Sequence, residues 1–118
     1  MRRVHEFSIA EALAAQVTRH VPPGALARRA EIRVGAMRGL EPEALQMSWE
    51  AVTHDTPIAG CVLAIDQLPW KMTCSKCGTI WSSPKPFVDC ACGNPSPTPA
   101  GSDELDLVSI TVDEEETT

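Results

Sequence analysis

Tyrosine is absent from this 118-residue chain, and three Trp and two Phe are its only aromatic side chains. With aromatics at 4% and Pro at ten residues, a buried core has to be assembled from Leu, Ile, Val and Ala around Trp49, which makes it thin. No apolar run approaches the roughly 20 residues needed to span a bilayer. The opening Met1-Arg2-Arg3-Val4 leads into polar His5-Glu6 instead of a signal-peptide hydrophobic stretch. These absences predict a cytoplasmic protein with no membrane partner. There is no Gly-rich phosphate loop and no nucleophile placed beside a base, so an enzyme is not expected. Ten Lys and Arg face sixteen Asp and Glu, and the net charge of -6 argues against nucleic acid as a partner.

What is present is periodic. Ser8 and Glu11 have the spacing of a capping box, ahead of Ile9, Ala10, Leu13, Ala14 and Val17 on one helical face, which predicts a helix over 9–20. Arg19 and His20 suit its C-terminal dipole, and Val21-Pro22-Pro23-Gly24 stops it. Ala30, Ile32 and Val34 alternate with Glu31 and Arg33, the period of a half-buried strand. Pro42 at a first helical position, followed by Leu45, Trp49 and Val52, predicts a second helix ending near His54. A second strand is expected over 60–67, closed by Leu68-Pro69, with Cys61 as a small buried core residue. Residues 94–99 read as a stiff, extended Pro-rich linker. The last strand, over 105–112, changes parity near residue 107 or 108, as a bulge would require, and 113–118 read as a solvated acidic tail. The order predicts an α+β fold: a small three-stranded mixed sheet with two helices on one face, plus an inserted zinc-ribbon-like module.

Four cysteines define that module. Cys74-Ser75-Lys76-Cys77-Gly78 has the form of a zinc knuckle, in which a tight turn brings both sulfurs to one side and the Gly lets amides turn toward them. Cys90-Ala91-Cys92-Gly93 keeps the trailing Gly but has one residue between its cysteines, so both sulfurs reach one metal only if Ala91 is bent. Cys74, Cys77, Cys90 and Cys92 are the expected zinc ligands, with Asp89 as the fallback fourth. Four thiolates leave zinc no open position, so its role would be to hold the fold. A thiol redox role for Cys74 and Cys77 is the rival reading of the same spacing.

The chain as a whole resembles the HypA/HybF family of hydrogenase maturation nickel chaperones. The likeness is carried by His5-Glu6-Phe7-Ser8-Ile9-Ala10, by Val34-Gly35 leading to Leu40-Glu41-Pro42-Glu43-Ala44-Leu45, by Trp49-Glu50, by 60–65, by the two cysteine pairs and by Gly101-Ser102-Asp103-Glu104-Leu105. The resemblance implies an α/β nickel-binding domain over 1–69 and 100–118 with a zinc-binding domain inserted at 70–99. It implies Ni(II) as cargo, with His5 as imidazole ligand, Glu6 supplying main-chain nitrogen and an outer carboxylate, and Glu41 as a supporting carboxylate. A planar set of nitrogen ligands suits Ni(II). By the same likeness the partners would be a HypB-type GTPase and the hydrogenase large-subunit precursor. His5 here follows Met1-Arg2-Arg3-Val4, whereas the family pattern has His next to the initiator. A start at Val4, read as Met from a GTG codon, would restore Met-His-Glu. The alternative is a zinc-ribbon interaction or scaffold subunit of hydrogenase maturation that has lost nickel binding.

Overall fold

The computed structural model describes residues 2–114, with side chains over 5–113. The chain divides into two compact units: Met1–Arg33, Leu40–Asp66 and Asp106–Thr118 form the first, Val34–Gly39 and Gln67–Leu105 the second.

In the first unit, helix α1 spans Arg2–His20 and helix α2 spans Pro42–Thr53. The start of α1 corrects the capping-box expectation, because Ser8 lies inside the helix instead of at its N-cap. No Gly or Pro interrupts residues 2–8. Continuing the helix also buries Glu6 beside the apolar face of Ile9, Ala10, Leu13, Ala14 and Val17, so packing overrides a weak local signal. In α2, Leu45, Trp49 and Thr53 are buried at four-residue steps, while Val52 is only half-buried. The Thr53 hydroxyl is satisfied within the helix by donating to the Trp49 carbonyl at 2.8 Å.

Strand β1 covers Ala25–Val34, five residues more than the alternation of 30–34 indicates. Gly24, at φ 82°, turns the chain directly from the Pro pair into the strand, with the Ala25 N–H donating to the Pro22 carbonyl. Strand β2 spans Val62–Gln67 and the last strand, β6, Leu105–Glu114; the sheet is small and mixed with order β2-β1-β6. Along β6 Leu105 and Leu107 are half-buried, Val108 and Ser109 are both exposed, and Ile110 and Val112 are half-buried again. That is the change of parity the sequence calls for. β6 also takes in residues 113 and 114 of the expected tail, with Asp113 paired to Arg28, while 115–118 lie outside the described residues. Helix α2 is tied to the strand side by Gln46 Nε2 donating to the Leu63 carbonyl (2.7 Å) and Trp49 Nε1 donating to that of Cys61 (2.8 Å). Cys61 itself is buried, and burial pushes its thiol up.

The second unit is built on a three-stranded antiparallel sheet, β3 (Trp70–Thr73), β4 (Ile80–Ser83) and β5 (Thr98–Ala100), in the order β4-β3-β5. Strand β5 corrects the linker expectation for 94–99. Pro99 lies opposite Met72 on an edge strand, where the missing N–H is tolerated. The segment 34–39 belongs to this unit through Leu68 N–H to the Val34 carbonyl, Gly35 N–H to that of Glu104 and Met37 N–H to that of Ser102, at 2.8 to 2.9 Å. Gly35 is obligatory there, since a Cβ would stand 2.2 Å from the Ser102 carbonyl oxygen. All three lysines of the chain, Lys71, Lys76 and Lys85, are in this unit.

Candidate metal sites

The turn between β3 and β4 carries the first cysteine pair. Cys74 accepts twice here: its carbonyl takes the Gly78 N–H (2.9 Å) and its Sγ takes the Cys77 N–H (3.4 Å), while Gly78 sits at φ 77°. The second pair sits in a four-residue turn closed by the Gly93 N–H donating to the Cys90 carbonyl at 2.9 Å, with Gly93 at φ 98°. This is the bend that the single intervening residue demands, and it brings Cys92 in. Cys74 Sγ is 3.6 Å from Cys92 Sγ, and Cys77 Sγ is 3.6 Å from Cys90 Sγ. All four sulfurs lie within 4.8 Å of one another. Tetrahedral zinc with bonds of about 2.3 Å sets its sulfurs about 3.8 Å apart, so the set fits a closed four-thiolate centre. Asp89, the fallback ligand, is not among the gathered donors.

The surroundings favour thiolate. The Asn94 side-chain amide donates to Cys74 Sγ at 3.4 Å, and with the Cys77 amide it lowers the Cys74 thiol to about 5. Contact with the Thr79 hydroxyl, 3.1 Å away, lowers Cys77. For Cys90 the Cys92 amide pulls downward, but burial and the three neighbouring thiols outweigh it and push the group up to about 12. A divalent cation would displace that proton and replace thiol repulsion with attraction. Asn94 is a functional residue that the sequence reading placed in the linker. It is buried, and its side-chain oxygen accepts the Ser96 N–H at 3.1 Å, an Asx turn for which Asn following the second cysteine pair was the available signal.

The residues expected to serve nickel lie on the first unit. His5 is exposed on α1. Glu6, its neighbour, is fully buried; its Oε2 accepts the Glu41 N–H at 2.9 Å and its Oε1 meets no hydrogen-bond partner among the described residues. Adjacent helical positions diverge by about 100°, so one side chain faces solvent and the other the interior. Glu41 is exposed at the N-cap of α2. Among the described residues, the four cysteines are the only group of three or more His, Cys, Asp or Glu side chains gathered closely enough to hold one ion. No described helix is long and apolar enough to cross a membrane.

A two-helix α/β unit carried with a compact four-cysteine unit defines a class of small metal-handling proteins. The chain belongs to the HypA family, described as "Hydrogenase/urease nickel incorporation, metallochaperone, hypA", which matches residues 4–112. It is 30% identical over 111 residues to a Hydrogenase maturation factor HypA of Nostoc punctiforme, covering 94% of this chain and 97% of that one. With the protein of the same name in Methylocella silvestris it shares 32% identity over 113 residues, covering 93% and 100%. The fold is similar to the solution structure of the Ni metallochaperone HypA from Helicobacter pylori, at TM-score 0.58 and 16% identity over 93% of this chain and 98% of that one. Membership in a metallochaperone family accords with a carrier and not a catalyst.

Proposed function

We propose that this protein binds Ni(II) at its N-terminal His-Glu segment and delivers it for maturation of a nickel-iron hydrogenase, with zinc held by Cys74, Cys77, Cys90 and Cys92 as a structural centre. The observation that carries the reading is the family match beginning at Val4, whose second and third residues are His5 and Glu6. His5 supplies an exposed imidazole, which an ion can reach and leave without unfolding a core. Glu6 contributes main-chain nitrogen, its carboxylate being occupied with Glu41. Glu41 supports the segment from α2. Zinc would pin the cysteine turns and leave no position open for chemistry. A HypB-type GTPase and the hydrogenase large-subunit precursor are the partners such a carrier would need.

The outward His5 and the inward Glu6 favour keeping one second reading, a maturation scaffold that carries zinc but no nickel. Calorimetric nickel titration of chains beginning at Met1 and at Val4 separates the two. Saturable 1:1 binding that is abolished by His5→Ala supports the carrier; heats indistinguishable from dilution in both chains leave the scaffold.

A further inference from the structure

Each exposed cysteine of the second unit stands against a buried one. Cys77 and Cys92 are exposed, Cys74 and Cys90 are buried, and the two sulfur contacts of 3.6 Å join Cys74 with Cys92 and Cys77 with Cys90. Both contacts cross from the first cysteine turn to the second, and neither lies within the Cys-x-x-Cys or the Cys-x-Cys pair. The arrangement divides the work of thiol oxidation between an accessible sulfur that an oxidant can reach and a sheltered one close enough to resolve the product.

The backbone favours the same partners. The first turn is held by the Cys74 N–H donating to the Thr79 carbonyl (3.0 Å) and the Gly78 N–H to that of Cys74 (2.9 Å). The second is held by the Cys90 N–H donating to the Asn94 carbonyl and the Gly93 N–H to that of Cys90, both at 2.9 Å. A disulfide needs its sulfurs at about 2.05 Å in a narrow range of dihedral angle, so a bond from Cys90 to Cys92, with one residue between them, distorts the turn that these hydrogen bonds close. A bond across the turns asks each 3.6 Å pair to close by about 1.5 Å, which side-chain rotation supplies with both turns in place.

The geometry points to a peroxide-driven exchange of staples: hydrogen peroxide converts the four zinc-binding thiolates to the disulfides Cys74–Cys92 and Cys77–Cys90, the metal leaves, and the unit stays folded. The inference rests on the zinc reading above. The exposed thiolate of Cys77 or Cys92 attacks one peroxide oxygen, the O–O bond breaks, hydroxide leaves and a sulfenic acid forms. The thiolate of its buried partner then attacks that sulfur and expels a second hydroxide as the disulfide closes. Two peroxides take up the four electrons that four thiolates lose, giving two disulfides, four hydroxides and one free Zn(II). The two bridges join the same two turns that the ion joined. Cys61, buried in the other unit, takes no part.

The test titrates the zinc-loaded full chain with hydrogen peroxide. Zinc release is followed with a chromogenic chelator, linkages by fragmentation mass spectrometry after free thiols are blocked, and folding by hydrogen exchange. One zinc is expected to leave for about two peroxides, with Cys61 as the blocked thiol and the two cross-turn linkages outnumbering every other pairing. Residues 70–100 keep their protection, unlike those of reduced protein treated with a chelator, and dithiothreitol followed by zinc restores the starting state. Linkage of Cys74 to Cys77 or of Cys90 to Cys92, zinc retained in excess peroxide, sulfinic acids in place of disulfides, or exchange as fast as in the chelated protein would each overturn this inference alone. A chain that holds no zinc before oxidant is added overturns the zinc reading along with it.

Discussion

The carboxylate of Glu6 accepts the backbone N–H of Glu41 at 2.9 Å, joining α1 to the N-cap of α2 across 35 positions of sequence. The bond satisfies one of the amide donors that a helix start leaves without an internal partner, and it does so from a neighbouring helix. Glu6→Ala leaves that amide and a small cavity behind, and a loss of about 2–3 kcal/mol is expected in urea unfolding of the full chain. Glu6→Gln, whose amide oxygen can still accept the bond, loses about half as much or less. Equal losses in the two variants would show that the hydrogen bond is not what the side chain contributes.

Gly35→Ala is expected to destabilise the second unit by about 1–3 kcal/mol, because the new methyl meets the Ser102 backbone where no side chain can swing away. The flanking bonds from Gly35 to Glu104 and from Met37 to Ser102 would lengthen together. Thermal unfolding compared with Gly101→Ala, whose Cβ would touch Ala36 and the Trp70 ring at 3.0 to 3.1 Å, separates a backbone clash from a side-chain one.

Zinc removal should unfold the second unit first. Structural zinc contributes on the order of 10–16 kcal/mol in small zinc peptides, whereas Met72 is the only fully buried apolar side chain of β3, β4 and β5. Hydrogen exchange with and without a chelator is expected to show loss of protection over 70–100 while α1 and α2 stay protected. Uniform loss across both units would contradict it.

Asn94→Ala removes the donor that most lowers the Cys74 thiol. Its folded-state value lies below the ordinary thiol range, so the gathered thiolate is favoured above that value and lost as pH falls through it. The variant should therefore release zinc at higher pH than the parent in a chelator-competition titration, by up to about one pH unit.

Trp49→Phe keeps most of the apolar volume but deletes the indole N–H that reaches the Cys61 carbonyl. With that carbonyl left unpaired in a buried site, a loss of about 1–3 kcal/mol is expected in denaturant titration.

Which parts of this molecule could be read beforehand follows from where the information is local. Cys74 and Cys77 with a trailing Gly, and Pro42 ahead of Leu45 and Trp49, encode a turn and a helix within a few residues, and both stand where expected. The true start of α1 could not be read from Ser8 and Glu11, since the deciding interaction is the burial of Glu6 against Glu41, the N-cap residue of α2. Residues 34–39 gave no sign of joining the cysteine unit because their bonds go to Leu68, Ser102 and Glu104, far along the chain. Pro99 disguised an edge strand as a linker, its ring being compatible with either. Ala91 showed that the second cysteine turn must bend, but Asn94 meets the Cys74 sulfur, twenty positions away, only once the chain is folded.

The confinement of Lys71, Lys76 and Lys85 to one unit makes the protein a natural two-colour reagent. Apart from the amine at the start of a chain, any dye, acyl group or cross-linker aimed at primary amines marks the half with the four-cysteine cluster and leaves the helical half bare. Amine chemistry on one half can therefore be followed while the other half stays unmodified.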